Sequence, residues 1–104
     1  MYCQIFYTSG TTEAPKLVLH THSSYGYCHQ VTGHYWLDLT KEDIIWSISD
    51  PGWAMGSWTT LFGPWSQGST VFIHGMKRFR PEDVLNTLQT FPISVLCAPA
   101  SLYR

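Results

Sequence analysis

The sequence predicts an α/β fold organised around a mainly parallel sheet. Short apolar runs alternate with longer stretches of helical period along the whole chain. One of those stretches is unambiguous: Ala54, Met55, Trp58, Leu61, Phe62 and Trp65 fall at the spacing of a single helical stripe. Glycine and proline punctuate the boundaries, at Asp50-Pro51-Gly52, Gln67-Gly68-Ser69 and Pro81.

In chain order, Ile5-Phe6-Tyr7-Thr8 is a short strand that runs into a polar loop. Residues 23–36 predict a helix, with Ser23 as its cap and Tyr25, Cys28, Val31 and Tyr35 on one side. Lys41-Glu42-Asp43 is a polar connection to a strand, Ile44-Ile45-Trp46-Ser47-Ile48, which Asp50-Pro51-Gly52 breaks. The stripe of residues 54–65 is the second helix, with Trp58 and Trp65 expected in the core. Thr70-Val71-Phe72-Ile73 is a strand. Pro81 suits a first helical position, and Glu82 and Asp83 beside it complement the positive end of the helix dipole. Val84, Leu85, Leu88 and Phe91 are that helix's apolar stripe, and residues 93–97 are the last strand. Parallel sheets are normally covered on both faces. Three helices on four short strands cover a sheet poorly, so residues 1–104 are expected to be a partial slice of a larger domain that depends on the remainder or on a partner for stability.

Composition narrows the class. The 104 residues are 44% hydrophobic and only 12% charged, with five Trp, six Tyr and five Phe. A net charge of −1 gives no footprint for nucleic acid or an anionic membrane. No run approaches the ~18 apolar residues of a membrane-spanning helix. Met1-Tyr2-Cys3-Gln4 lacks the basic start of a signal or transit peptide. Cys3, Cys28 and Cys97 are scattered and odd in number, which suits free thiols in a reducing compartment.

The chemistry lies in Tyr7-Thr8-Ser9-Gly10-Thr11-Thr12-Glu13-Ala14-Pro15-Lys16. A strand that ends in small, hydroxyl-bearing residues can turn sharply and aim backbone N–H groups at an anion. Ser and Thr hydroxyls add donors, and the lysine adds a point charge. That set suits a polyphosphate. It is not the Walker loop, because Lys16 sits between Pro15 and Leu17 rather than in Gly-Lys-Ser/Thr.

The segment resembles the phosphate loop of the adenylate-forming (AMP-dependent synthetase/ligase) superfamily, Thr-Ser-Gly-Thr-Thr/Ser-Gly-x-Pro-Lys. It matches every fixed position but one, where Glu13 replaces the second glycine. His20-Thr21-His22-Ser23, Ser49-Asp50-Pro51-Gly52-Trp53 and the stretch from Phe91 to Pro99 are similar to later segments of the same family. The pattern looks closest to the medium-chain acyl-CoA synthetases and covers the whole chain.

The resemblance implies a partial AMP-binding domain over residues 1–104. It implies a ligase that joins a medium-chain fatty or related carboxylic acid to AMP from ATP with Mg²⁺, then passes the acyl group to CoA. Thr8, Ser9, Gly10, Thr11, Thr12, Glu13 and Lys16 would line the ATP phosphates. Asp50, Gly52 and Trp53 would contribute to the acyl pocket; the competing reading is a strand-ending turn with a buried Trp. No catalytic residue and no resident metal is assigned within the chain. The family-based compartment is the mitochondrial matrix.

Glu13 sets a limit on this. Glycine allows φ > 0 and close approach to phosphate, and a non-glycine residue there costs about 1–2 kcal/mol. A carboxylate about 4 Å from phosphate adds about 1 kcal/mol of repulsion in water and about 4 kcal/mol at an effective dielectric of 20. Nucleotide affinity would fall by roughly one to three orders of magnitude. Hence the alternative: a non-catalytic truncated paralogue that acts as an interaction module or has no function. Other chemistries are weaker. His20, His22, Cys28 and His29 lack the spacing of a zinc site. The Gly-x-Ser-x-Gly of hydrolases is absent. Lys77-Arg78-Phe79-Arg80 suits a solvated basic turn better than a CoA phosphate contact.

Overall fold

The computed structural model describes residues 1–9 and 14–104. The predicted class holds, and the first strand belongs elsewhere. Strands β3 (Ile44–Ser47), β4 (Thr70–Phe72) and β5 (Val95–Cys97) form a parallel sheet in the order β4-β3-β5. The first strand, β1 (Tyr2–Thr8), is not part of it. It pairs antiparallel with β2 (Lys16–Thr21) in a separate two-stranded hairpin. The sequence reading left β2 unassigned because Leu17, Val18 and Leu19 are consecutive and all exposed, so no alternation marks the strand.

Within the parallel sheet, alternation assigns the faces. Ile45 is fully buried and clusters with Leu37 and Leu39, with Val71, Val95 and Cys97 packed around it. Trp46 points to the opposite face, where its ring meets Phe72, and Phe72 in turn meets Phe91 at the end of α4 (Pro81–Thr90). Ser47 returns to the Ile45 side and shares a 2.6 Å hydrogen bond with Thr59. Both faces of the central strand are therefore covered, as a parallel sheet demands. At the amino edge, the Asp43 carboxylate accepts from the Thr40 backbone N–H (2.8 Å) and from the Ser94 hydroxyl (2.8 Å). The Thr40 N–H first, and then the Ser94 and Thr40 hydroxyls, hold that carboxyl below the usual aspartate range.

The helices differ from their sequence stripes. α1 (His22–Val31) begins one residue earlier than expected, with Thr21 as its cap instead of Ser23. Thr21 and Ser24 exchange side-chain-to-backbone bonds of 3.1 and 3.0 Å, a capping box with Ser in the place of Glu. The helix then widens into a π-helical turn, Thr32–Trp36. Its buried residues are His29, Gly33 and, just beyond, Leu37, whereas the expected Val31 and Tyr35 are exposed.

The second helix is also composite: α2 (Ala54–Gly56), a π-helical stretch Ser57–Phe62, and α3 (Gly63–Ser66). Its buried face is Gly56, Thr59, Gly63 and Pro64. Leu61, Phe62 and Trp65 are exposed, against the expectation of a core Trp65. Small residues win because the backbones come close. A Cβ added at Gly33 would stand 2.5 Å from the Gly63 carbonyl oxygen. In α4, Pro81 and the two acidic residues open the helix as expected, Val84 is buried, and Thr87 is buried where Leu85 and Phe91 are exposed. The three cysteines are free and half-buried.

Candidate functional site at the hairpin and the carboxyl edge of the sheet

The hairpin delivers the two stems of the Ser/Thr-rich segment to one place. Thr8 ends β1 directly opposite Lys16, which begins β2, and the Thr8 hydroxyl donates to the Lys16 carbonyl oxygen at 3.4 Å. The antiparallel ladder thus holds Thr8 and Lys16, which flank the segment, side by side. Gly10, Thr11, Thr12 and Glu13 lie outside the described residues. Thr8 and Ser9 face a cleft of about 740 Å³ whose other wall is Gly52, Trp53, Met55 and Ser57.

That other wall is built by a tight turn after β3. The Asp50 carboxylate Oδ1 accepts from the Gly52 N–H at 2.7 Å, and the Trp53 N–H donates to the Asp50 carbonyl oxygen at 3.0 Å. An aspartate that bonds the backbone two residues on is a turn-former by its own chemistry. The turn launches Trp53 outward, and this Trp is 69% exposed. The reading of a buried Trp at a strand-ending turn is therefore overturned for Trp53. The ring stands free because α2 starts at the next residue and carries the chain away.

Trp53 also borders a second cleft, of about 550 Å³, at the carboxyl ends of all three parallel strands. Its lining includes Asp50 beyond β3, His74 and Met76 beyond β4, and Ser101 beyond β5. Ligands of open α/β sheets bind outside the carboxyl ends of the strands, where strand order reverses. The chain runs from β3 to β4 on one side and then returns past β3 to β5 on the other, so strand order reverses at β3 and meets that condition. Of the residues singled out in the sequence, Thr8, Ser9, Gly52 and Trp53 thus share one cleft, while Asp50 and Trp53 share the other. Lys16 sits opposite Thr8 at the loop end of the hairpin and lines neither. His74, Met76 and Ser101 were not identified from sequence. The signal was available, since each lies within a few residues of the end of a predicted parallel strand.

The two regions are joined by aromatic rings. Phe6 of β1 and His20 of β2 each stand 5.5 Å from Trp58, and Tyr25 and His29 of α1 complete the group. His29 is 2% exposed, lies 4.3 Å from Tyr25 and 4.4 Å from Trp58, and among the described residues neither of its ring nitrogens has a hydrogen-bond partner. Burial, and secondarily the His20 imidazole, push its pKa below the usual histidine value. Burial likewise raises the Cys97 thiol, which suits a structural thiol rather than a nucleophile.

Residues 2–104 match the family model for AMP-binding enzymes. Human mitochondrial acyl-coenzyme A synthetase ACSM3 is 49% identical over 100 residues, covering 96% of this chain and 17% of that protein. Rat mitochondrial acyl-coenzyme A synthetase ACSM4 is 43% identical over the same shares. Among solved structures, the acyl-CoA synthetase of Brucella canis superposes with a TM-score of 0.81 at 28% identity, covering 96% of this chain and 18% of its own. The anthranilate CoA ligase AuaEII, in complex with anthranoyl-AMP, gives 0.73 at 29% identity over 91% of this chain and 18% of its own. The chain spans about a sixth of the length of these relatives. With its family model matched over residues 2–104, the chain belongs to the AMP-binding enzyme family and is similar to acyl-CoA synthetases.

Proposed function

We propose that residues 1–104 form part of the AMP-binding domain of an acid–CoA ligase, contributing its phosphate loop and one wall of its acyl site. The observation that carries this is the facing of Thr8 and Ser9 with Gly52 and Trp53 across one cleft. In this reading Thr8, Ser9, Gly10, Thr11, Thr12 and Lys16 hold the β- and γ-phosphates of Mg²⁺-ATP. A carboxylate oxygen of a medium-chain fatty or related acid attacks the α-phosphorus, and pyrophosphate leaves. Donors fixed around the departing pyrophosphate act most strongly where water is excluded. The CoA thiol then attacks the acyl carbon as thiolate, forming the thioester and releasing AMP.

Trp53, exposed at the border of both clefts, supplies a flat apolar wall for the acid. The 104-residue chain does not complete the reaction unaided, and its hairpin depends on further protein for stability. Relatives named as mitochondrial support a place in the mitochondrial matrix. Glu13 favours a second reading, a non-catalytic relative that keeps the fold and binds nucleotide weakly.

Calorimetric titration of the full-length protein with Mg²⁺-ATP separates them. On the first reading Lys16→Ala weakens binding and Glu13→Gly tightens it, by roughly one to three orders of magnitude. Equal affinities for the parent and Glu13→Gly chains would sink the assigned role of Glu13. Nucleotide binding by neither would leave the non-catalytic reading.

A further inference from the structure

His74, exposed just beyond β4, is oriented by two independent contacts. Its ring stacks on Trp46, with centroids 6.1 Å and planes 21° apart. Trp46 is only 2% exposed and cannot swing away. Its Nδ1 lies 3.3 Å from the Thr87 hydroxyl oxygen. That oxygen is also 2.7 Å from the Asp83 carbonyl oxygen, a separation that requires the hydroxyl proton to lie between the two oxygens. Threonine has one such proton, so toward His74 it can only accept. The hydrogen-bond network therefore assigns the proton of the neutral ring to Nδ1 and leaves Nε2 as an acceptor.

Among the described residues Nε2 has no hydrogen-bond partner, while the ring lines the carboxyl-edge cleft beside Trp46, Trp53, Met55 and Met76. Asp50 Oδ1 takes the Gly52 N–H and Ser47 donates to Thr59, so the Asp50 carboxylate is the other acceptor of this cleft and His74 is the one beside Met76. The hydroxyls of Ser49 and Ser101 can rotate to donate or accept, so they do not discriminate.

We propose that His74 is a specificity-determining residue of this cleft. It selects apolar carboxylic acids that carry a hydroxyl or amino donor on their body, and accepts that proton in a hydrogen bond at Nε2. This rests on the reading of the cleft as an acid site.

The probes are benzoate and 4-hydroxybenzoate, titrated calorimetrically into the full-length protein that carries residues 1–104. The expected result is a preference for 4-hydroxybenzoate of about two- to tenfold, the usual worth of one hydrogen bond. His74→Phe keeps a ring over Trp46 and removes the acceptor, so it should bind both acids alike. Thr87→Val frees the tautomer and should reduce the preference. Nitrogen NMR of the imidazoles gives a reading that needs no variant: His74 should show Nδ1–H, and its Nε2 resonance should move only with 4-hydroxybenzoate. Benzoate binding without any preference would overturn the role of His74 alone. So would a preference that survives His74→Phe, or a ring protonated at Nε2 only. Binding of neither acid would overturn the acid site together with it.

Discussion

The hairpin and the parallel sheet are both small β structures, and they are held in opposite ways. In the sheet, Ile45 and Trp46 of the central strand are 0% and 2% exposed, and each faces a different packed layer. In the hairpin, Ile5, Leu17, Val18 and Leu19 are all exposed, with Leu19 at 49%. Phe6 and His20 tie it to the helices through Trp58 and Tyr25, and the His22 N–H of α1 donates to the Met1 carbonyl oxygen at 3.2 Å. A lone two-stranded hairpin is marginal in water, whereas a strand buried on both sides carries the stability of its unit. The radius of gyration, 15.1 Å, exceeds the about 13 Å of a compact chain of this length and reflects the same division. The comparison teaches that the stems of the Ser/Thr-rich segment sit on the weakly held element and the carboxyl-edge cleft on the strongly held one.

The sharpest way to break that contrast is Trp46→Ala. It should cost about 3–5 kcal/mol in urea denaturation, by opening a cavity between β3 and α4. A loss under about 1 kcal/mol would mean that the sheet is not the stable unit.

The next effect lies at the junction. His29 is buried neutral, with a pKa held below the usual value of 6.5. Between that value and its own lower one, the unfolded chain binds a proton that the folded chain does not. Stability is therefore full above pH 6.5 and falls as pH drops through this window. His29→Leu should flatten that slope and, by removing an unpartnered buried polar ring, stabilise by about 1–3 kcal/mol. An unchanged pH profile of the denaturation midpoint would contradict it.

Thr21→Ala removes the capping box between β2 and α1, and should cost about 1 kcal/mol. Its effect belongs mainly to α1, so amide exchange there should rise more than in β3. The smallest effect is expected on the open face of the hairpin, where Leu19→Ser should stay within about 0.5 kcal/mol. A larger loss would show that the hairpin's outer face is packed in solution.

Much of this was legible in the residues. Proline and glycine marked the boundaries, the β-branched and aromatic runs marked β3, β4 and β5, and Pro81-Glu82-Asp83 marked a helix start. The phosphate-loop pattern was legible from residue identity alone, because backbone donors, hydroxyls and a lysine at that spacing have few other uses. What misled was size. The conspicuous stripe of large apolar residues in 54–65 is partly exposed, and the inconspicuous Gly56, Thr59 and Gly63 are buried. Period and hydrophobicity report which residues share a face. They do not report how closely another backbone will approach that face.

The sequence by itself determined the α/β class, the order of the sheet-forming segments and the family. These depend on local propensity and residue identity, which need no partner. Tertiary structure alone decided that β1 leaves the parallel sheet to pair with β2, and that Trp53 stands out as a wall between two clefts. It also decided that His74, unremarkable in the chain, is oriented by Trp46 and Thr87. Strand partnership and side-chain orientation depend on contacts between residues distant in sequence, and those contacts exist only once the chain has folded.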